Sequence, residues 1–218
     1  MYTKRNKAPK NWPIPRKGTK FVAVPTHNQK TSIPLVIVAR EMLKVVQTAK
    51  ELKKLINEKQ IKINGKDVKS INYPINLFDT LSLKDSKKHY RAILSSTKKF
   101  SFIEVPEKET LTKTYKIIGK KILPGKKVQL NLMEGFNVIT TEKAKVGDSV
   151  ILSFKDNKIQ KVIPIEKGKN VYVFAGKHIG NKGKVNEIIS KGDKSIALVK
   201  TENKEEVNVW VKNLIAIE

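Results

Sequence analysis

Between Ser32 and Val46 the apolar residues Leu35, Val38, Ala39, Met42, Leu43 and Val46 recur at the spacing of one helical face. Pro34 stands near the first turn of that helix, where its missing N–H costs nothing. Thr48 and Glu51 then form a T-x-x-E capping box, each side chain satisfying the other's orphan N–H, so a second helix starts near Ala49. Ala49, Leu52, Leu55 and Ile56 share one side of that helix, while Lys50, Lys53 and Lys54 share an arc of roughly 100° on the other. The period drops to two at "IKINGKDV": Ile61 and Ile63 alternate with Lys62, and Asn64-Gly65 is the two-residue turn of a hairpin. "DTLSL" (79–83) adds a short strand. Two helices and a hairpin predict a compact α+β unit over residues 32–91.

From Tyr90 onward the pattern is of strands. "RAILSS", "SFIEV", "YKIIG", "VQLNL", "FNVIT" and "SVILSF" are short β-rich runs separated by turns such as Pro124-Gly125, Glu134-Gly135 and Gly147-Asp148. They predict a central all-β domain over 92–166. The remainder, 167–218, runs through "VYVFAG", "KVNEIIS", "SIALVKT" and "VNVWVKNLIAI", enough for a five-stranded small barrel. The first 31 residues fit neither pattern. Pro9, Pro13, Pro15 and Pro25 break them, and they predict an extended N-terminal arm without a core of its own.

Charge gives this division a meaning. The chain's 45 Lys+Arg against 20 Asp+Glu give +25, and residues 1–40 hold nine basic side chains and no acid. A field of that size attracts polyanions. In the arm, Lys4, Arg5, Lys7, Lys10, Arg16, Lys17 and Lys20 are candidate phosphate contacts. Trp12 can stack on a base or anchor the arm to the body, and both readings stand. There is no cysteine, and His27, His89 and His178 are too few and scattered for a metal cage, so neither metal nor cofactor is expected. The start of the chain does not read as a signal peptide, and the longest apolar run, Ile33 to Ala39, is far short of a bilayer span. A soluble, cytoplasmic protein without a membrane partner is expected.

The segment "AGKHIGNKGKV" (175–185) carries the densest chemistry. A phosphate-binding P-loop needs G-x-x-x-x-G-K-[ST], with four residues between its glycines, but here six residues separate Gly176 from Gly183 and Lys184 is followed by Val185. A dinucleotide fingerprint needs a helix after its glycines, and β-favouring "KVNEIIS" follows instead. What fits is strand, glycine turn, strand. Gly176, Gly180 and Gly183 permit tight bends, and Lys177, His178, Lys182 and Lys184 face a polymeric anion. A purely structural turn with incidental lysines is the alternative.

Three resemblances follow from these residues. The helix pair and "INGK" hairpin, over about 34–84, resemble the S-four RNA-binding domain, an αL-type module. That resemblance makes Arg40, Lys50, Lys53, Lys54, Lys62, Asn64 and Lys66 candidate RNA contacts. The glycine–lysine segment resembles the KOW motif, whose first hairpin belongs to a Src-homology-3-like barrel. The series "WPIPRKG" (12–18), "SIPL" (32–35), "YPINLFDTLSL" (73–83), "GKKVQLNLMEG" (125–135), "VGDSVIL" (146–152) and "AGKHIGNKGKV" is similar, nearly end to end, to the archaeal–eukaryotic small-subunit ribosomal proteins of the "S-four-e" family. The loop "VPTHNQKT" (24–31) is shorter than that pattern, and the chain stops after the barrel, which favours an archaeal-type member.

The resemblance implies a non-catalytic constituent of the small ribosomal subunit. Its partners would be the subunit's ribosomal RNA and neighbouring ribosomal proteins, with no small-molecule substrate. Two other classes remain beside it. An RNA-modifying enzyme would need a catalytic acid, yet Asp79 and Asp148 sit in "FDTL" and "VGDS", which read as turns. A free regulatory or elongation factor would explain the KOW-like segment but not the arm or the helical unit.

Overall fold

The computed structural model describes residues 2–125, 127–191, 194–202 and 205–217. The chain divides into two compact units, Met1–Leu111 and Thr112–Glu218. In the first, β1 (Tyr2–Lys4) pairs antiparallel with β2 (Phe21–Ala23). Then come β3 (Ile33–Pro34), a helix α1 (Leu35–Ile37) that widens into a π turn at Val38–Met42, and α2 (Ala49–Asn57). The strands β4 (Ile61–Ile63), β5 (Lys66–Asp67), β6 (Pro74–Ile75), β7 (Thr80–Leu83), β8 (Lys88–Leu94) and β9 (Phe100–Glu104) follow. β6 pairs with β3, and the rest form one sheet in the order β5-β4-β7-β8-β9.

The first helix departs from its pattern. Leu35, Val36, Ile37, Val38 and Ala39 are all buried, while Met42 and Leu43 are half-buried. A segment enclosed on every side has no single apolar face, and its spacing therefore understates its burial. It widens as Leu43 N–H donates to Val38 O at 2.9 Å, and Lys44 turns the chain away at φ +52°. α2 keeps its capping box. Thr48 Oγ1 accepts from Glu51 N–H at 3.2 Å, and Glu51 Oε2 accepts from Thr48 N–H at 3.4 Å and Gln47 N–H at 2.8 Å. Leu52 and Ile56 are buried beneath it, Leu55 is half-buried and Ala49 is exposed. The hairpin turn is also as expected: Asn64 and Gly65 both adopt positive φ, +51° and +76°. A Cβ at Gly65 would stand 2.7 Å from Leu111 Cδ2, the movable end of an exposed side chain, so the positive φ is what favours glycine there.

Two expectations are corrected. β8 runs straight across residues 91 and 92, and β8 and β9 extend the sheet begun by β4 and β7. "RAILSS" and "SFIEV" thus complete the first unit, because alternation marks a strand without naming its partner. The N-terminal segment is no extended arm either: β1 and β2 close it into a loop, and Val22, Val24 and Trp12 bury their side chains. The multidomain chain is mostly strand, and its α-helices, among the described residues, are α1 and α2, both in the unit read as α+β.

In the second unit β10 (Thr112–Ile122), β11 (Val128–Leu132), β12 (Asn137–Thr140), β13 (Ser149–Ser153) and β14 (Lys158–Ile163) form an antiparallel sheet ordered β12-β11-β10-β13-β14. Its core packs Ile117, Leu130 and Leu152 around Tyr115, whose ring lies 5.7 Å from that of Phe136. A second sheet joins β15 (Asn170–Val173), β16 (Lys182–Lys191), β17 (Lys194–Thr201), β18 (Glu206–Trp210) and β19 (Leu214–Ala216) in the order β18-β17-β16-β15-β19. Val171, Val173, Ala197, Leu214 and Ala216 are fully buried there.

A buried cation ties the two sheets. Lys116, on β10, is 5% exposed and donates from Nζ to the carbonyls of Val211 and Leu214, each at 2.5 Å. A second buried lysine, Lys113, lies 2.5 Å from Glu134 Oε2.

Candidate nucleic-acid interface

In the N-terminal loop Lys4, Lys7, Lys10, Arg16, Lys17 and Lys20 are exposed. Arg5 is not. Its guanidinium donates from Nε to Thr19 O at 2.7 Å, from Nη1 to Pro15 O at 2.7 Å and from Nη2 to Thr19 Oγ1 at 2.9 Å, so it staples the loop. Trp12 is 2% exposed and donates from Nε1 to Ser32 O at 3.0 Å. Of its two readings, anchor and stacking platform, the structure takes the anchor, since a base cannot reach a ring so enclosed.

On α2, Lys50, Lys53 and Lys54 are exposed, with Lys54 3.9 Å from Glu58. Glu51 helps fix the start of that helix, and the Gln47 N–H followed by the Thr48 hydroxyl holds its carboxyl below the usual carboxylate range. Arg40 pairs with its neighbour Glu41 at 2.8 Å. Lys62 is half-buried and Lys66 exposed. Asn64 leaves the candidate set, because its amide donates to Asp79 Oδ1 at 2.7 Å and accepts from Thr80 N–H at 2.9 Å. Both ends of the side chain serve the fold. Lys62 lines an open groove of about 620 Å³ with Lys84, Lys87 and His89, but Glu104 and Glu107 line it too.

The strand–turn–strand reading of the glycine–lysine segment matches the geometry. β15 and β16 pair antiparallel, with Gly176 and Gly180 turning at φ +96° and +88° between them. Lys177 is exposed at the tip and His178 half-buried. Gly183 acts inward, since a Cβ there would lie 2.3 Å from Lys200 O. It lets β16 and β17 close together. Lys182 and Lys184 project from the opposite face to Gly183, and the register sets Lys184 opposite Lys200. These three lysines, with Asn170, Asn186 and Glu202, line an open groove of about 520 Å³. Lys200 was not singled out from sequence. Its signal was the alternation in "SIALVKT", where buried Ala197 and Val199 turn Lys200 outward.

The acids are structural. Asp79 accepts from Asn64 Nδ2 and from Asn76 N–H at 2.7 Å, and Asp148 Oδ2 accepts from Lys145 N–H at 3.0 Å. Among the described residues no group of His, Asp and Glu is arranged to hold a metal ion, and no helix is long and apolar enough to cross a membrane.

Comparison with known proteins supplies what geometry cannot. The model of Ribosomal family S4e matches residues 86–159. Over 190 residues the chain is 38% identical to the small ribosomal subunit protein eS4 of Methanocella arvoryzae, covering 86% of this chain and 80% of that one. The chain belongs to the S4e family of small-subunit ribosomal proteins. The S4e relative from Nanoarchaeum equitans is 28% identical over 214 residues, covering 96% of this chain and 92% of its own length. The crystal structure of the 30S ribosomal protein S4e from Thermoplasma acidophilum agrees in fold, with a TM-score of 0.72 at 24% identity over 86% of this chain and 95% of that one. S4e proteins are structural constituents of the small subunit, not enzymes.

Proposed function

We propose that this S4e protein binds and stabilises small-subunit ribosomal RNA by neutralising its backbone at several separate basic patches. The observation that carries the reading is the groove on the last sheet, where Lys182, Lys184 and Lys200 from two neighbouring strands face one open concavity. The exposed lysines of α2 and of the N-terminal loop act in the same way. Phosphate contacts of this kind hold an RNA in register without reading its bases. In this reading residues of about 34–84 act as an S-four-like module and residues 167–218 as a KOW-type barrel. Support comes from the capped helix with its "INGK" hairpin and from the five-stranded antiparallel sheet with its glycine turn. Contacts with neighbouring small-subunit proteins belong to the same proposal.

Each lysine that meets a phosphate releases condensed counterions, so affinity must depend on salt. Binding of the purified, nucleic-acid-free chain to small-subunit rRNA should weaken about a thousand-fold or more between about 50 and 200 mM salt. A flat salt response overturns the proposal. So does failure of the chain to cosediment with small subunits through a gradient.

A further inference from the structure

The ribbon of β1 and β2 carries two large aromatic side chains that the fold does not use. Tyr2 is 73% exposed and Phe21 53%. The register pairs Tyr2 with Ala23 and Lys4 with Phe21, which puts both rings on one face. They are diagonal neighbours, and such positions lie about 7–8 Å apart. The opposite face, Thr3 and Val22, is the one turned inward, with Val22 buried.

We propose that Tyr2 and Phe21 form a stacking platform for unpaired bases of a single-stranded RNA segment. Two lysines stand beside Phe21. Lys4 stands directly across from Phe21, and Lys20 Nζ lies 5.7 Å from the Phe21 ring centroid. No acid occurs in residues 1–40. Aromatic faces beside lysines form the surface that binds unpaired nucleotides, with the ring taking the base and the ammonium the phosphate. A protein partner would meet the same rings through an apolar pocket, but it would have to bring its own acids to offset these lysines. The platform is also rigid before any ligand arrives. The Arg5 staple and the buried Trp12 fix the loop between the two strands, so binding orders little.

The inference rests on the RNA-binding reading, and the experiment separates the two. Affinity of the full chain for an adenine-rich single-stranded oligonucleotide and for an RNA duplex is measured for wild type, Phe21→Leu, Phe21→Tyr and Tyr2→Leu, with circular dichroism confirming that each folds. Leucine keeps the apolar bulk and loses the aromatic face. Phe21→Leu should weaken single-strand binding about tenfold, with Tyr2→Leu similar, while Phe21→Tyr stays at wild-type affinity. Duplex binding should not change. If Phe21→Leu binds the single strand as wild type does while wild type binds rRNA, the platform is refuted and the RNA-binding reading survives. If Phe21→Tyr also loses affinity, the ring is packing in an apolar pocket and stacking is refuted. If wild type binds no RNA at all, both fall.

Discussion

Asn64 donates its side-chain amide to Asp79 across 2.7 Å, fastening the tip of the β4–β5 hairpin to the turn that leads into β7. The same amide accepts the Thr80 N–H, and Asp79 is 3% exposed. Asn64→Ala would leave a buried carboxylate and a backbone donor short of a partner, and would put alanine at φ +51°. The expected loss is about 2–4 kcal/mol in urea unfolding. The salt slope of rRNA binding should stay as in wild type, since the side chain serves the fold. A reduced slope with unchanged stability would reverse that assignment.

Burial pushes Lys116 down to about 8 from its ordinary 10.5, against the opposing attraction of Asp148. The folded value lies below the unfolded one, so between about pH 8 and 10.5 the unfolded chain binds more protons and stability rises with pH. Below about pH 8 the charged ammonium carries a penalty of about 3 kcal/mol relative to the neutral amine. Wild type should therefore gain on Lys116→Met as pH is raised from about 7.5 to 10, read as the difference in urea midpoints. Parallel midpoints at both pH values would show that this amine does not titrate in that window.

Gly183→Ala and Gly119→Ala make a matched pair. The first sets a Cβ 2.3 Å from Lys200 O on a strand that cannot move alone, while the second meets nothing nearer than Asn131 Nδ2 at 3.4 Å. The expected cost is about 3 kcal/mol for Gly183→Ala and under about 1 kcal/mol for Gly119→Ala, measured by thermal unfolding. Equal costs would mean that β16 and β17 close less tightly than the register implies.

The basic patches should be separable by salt. Replacing Lys182, Lys184 and Lys200 by alanine should reduce the slope of log affinity against log salt by about 2–3, and replacing Lys50 and Lys53 by about 1–2. Thermal stability should hardly change, because all five side chains are exposed. A change in midpoint without a change in slope would mark these lysines as structural.

What could be read in the residues, and what could not, follows from how far each determinant lies along the chain. The capping box of α2 and the Asn64-Gly65 turn are local: three or four residues set their geometry, and both stand where the pattern put them. β8 folds back on β7 and β9 on β8, so each has its chain neighbour as partner, but the sheet they complete begins at Ile61 and ends at Glu104. The alternation that revealed these strands said nothing of which side of residue 91 they served. Arg5 was misread, and the choice at Trp12 stayed open, for a related reason. A proline-broken, acid-free stretch looks unable to fold alone, yet Arg5 finds its partners within it, at Pro15 and Thr19, as β1 closes on β2, and Trp12 reaches beyond it to Ser32. Lys200 joined its groove through cross-strand register, which no single segment contains.

Trp12 and Trp210, the chain's two indoles, fall one in each compact unit. The first is enclosed and hydrogen-bonded, while the second lies 37% open with Lys212 Nζ 4.5 Å from its ring centroid. Nature has thereby labelled the halves with optically distinct reporters. Emission from the enclosed ring shifts to the red only when its own half melts, so a denaturant titration followed at two wavelengths reveals whether the halves come apart together or in turn.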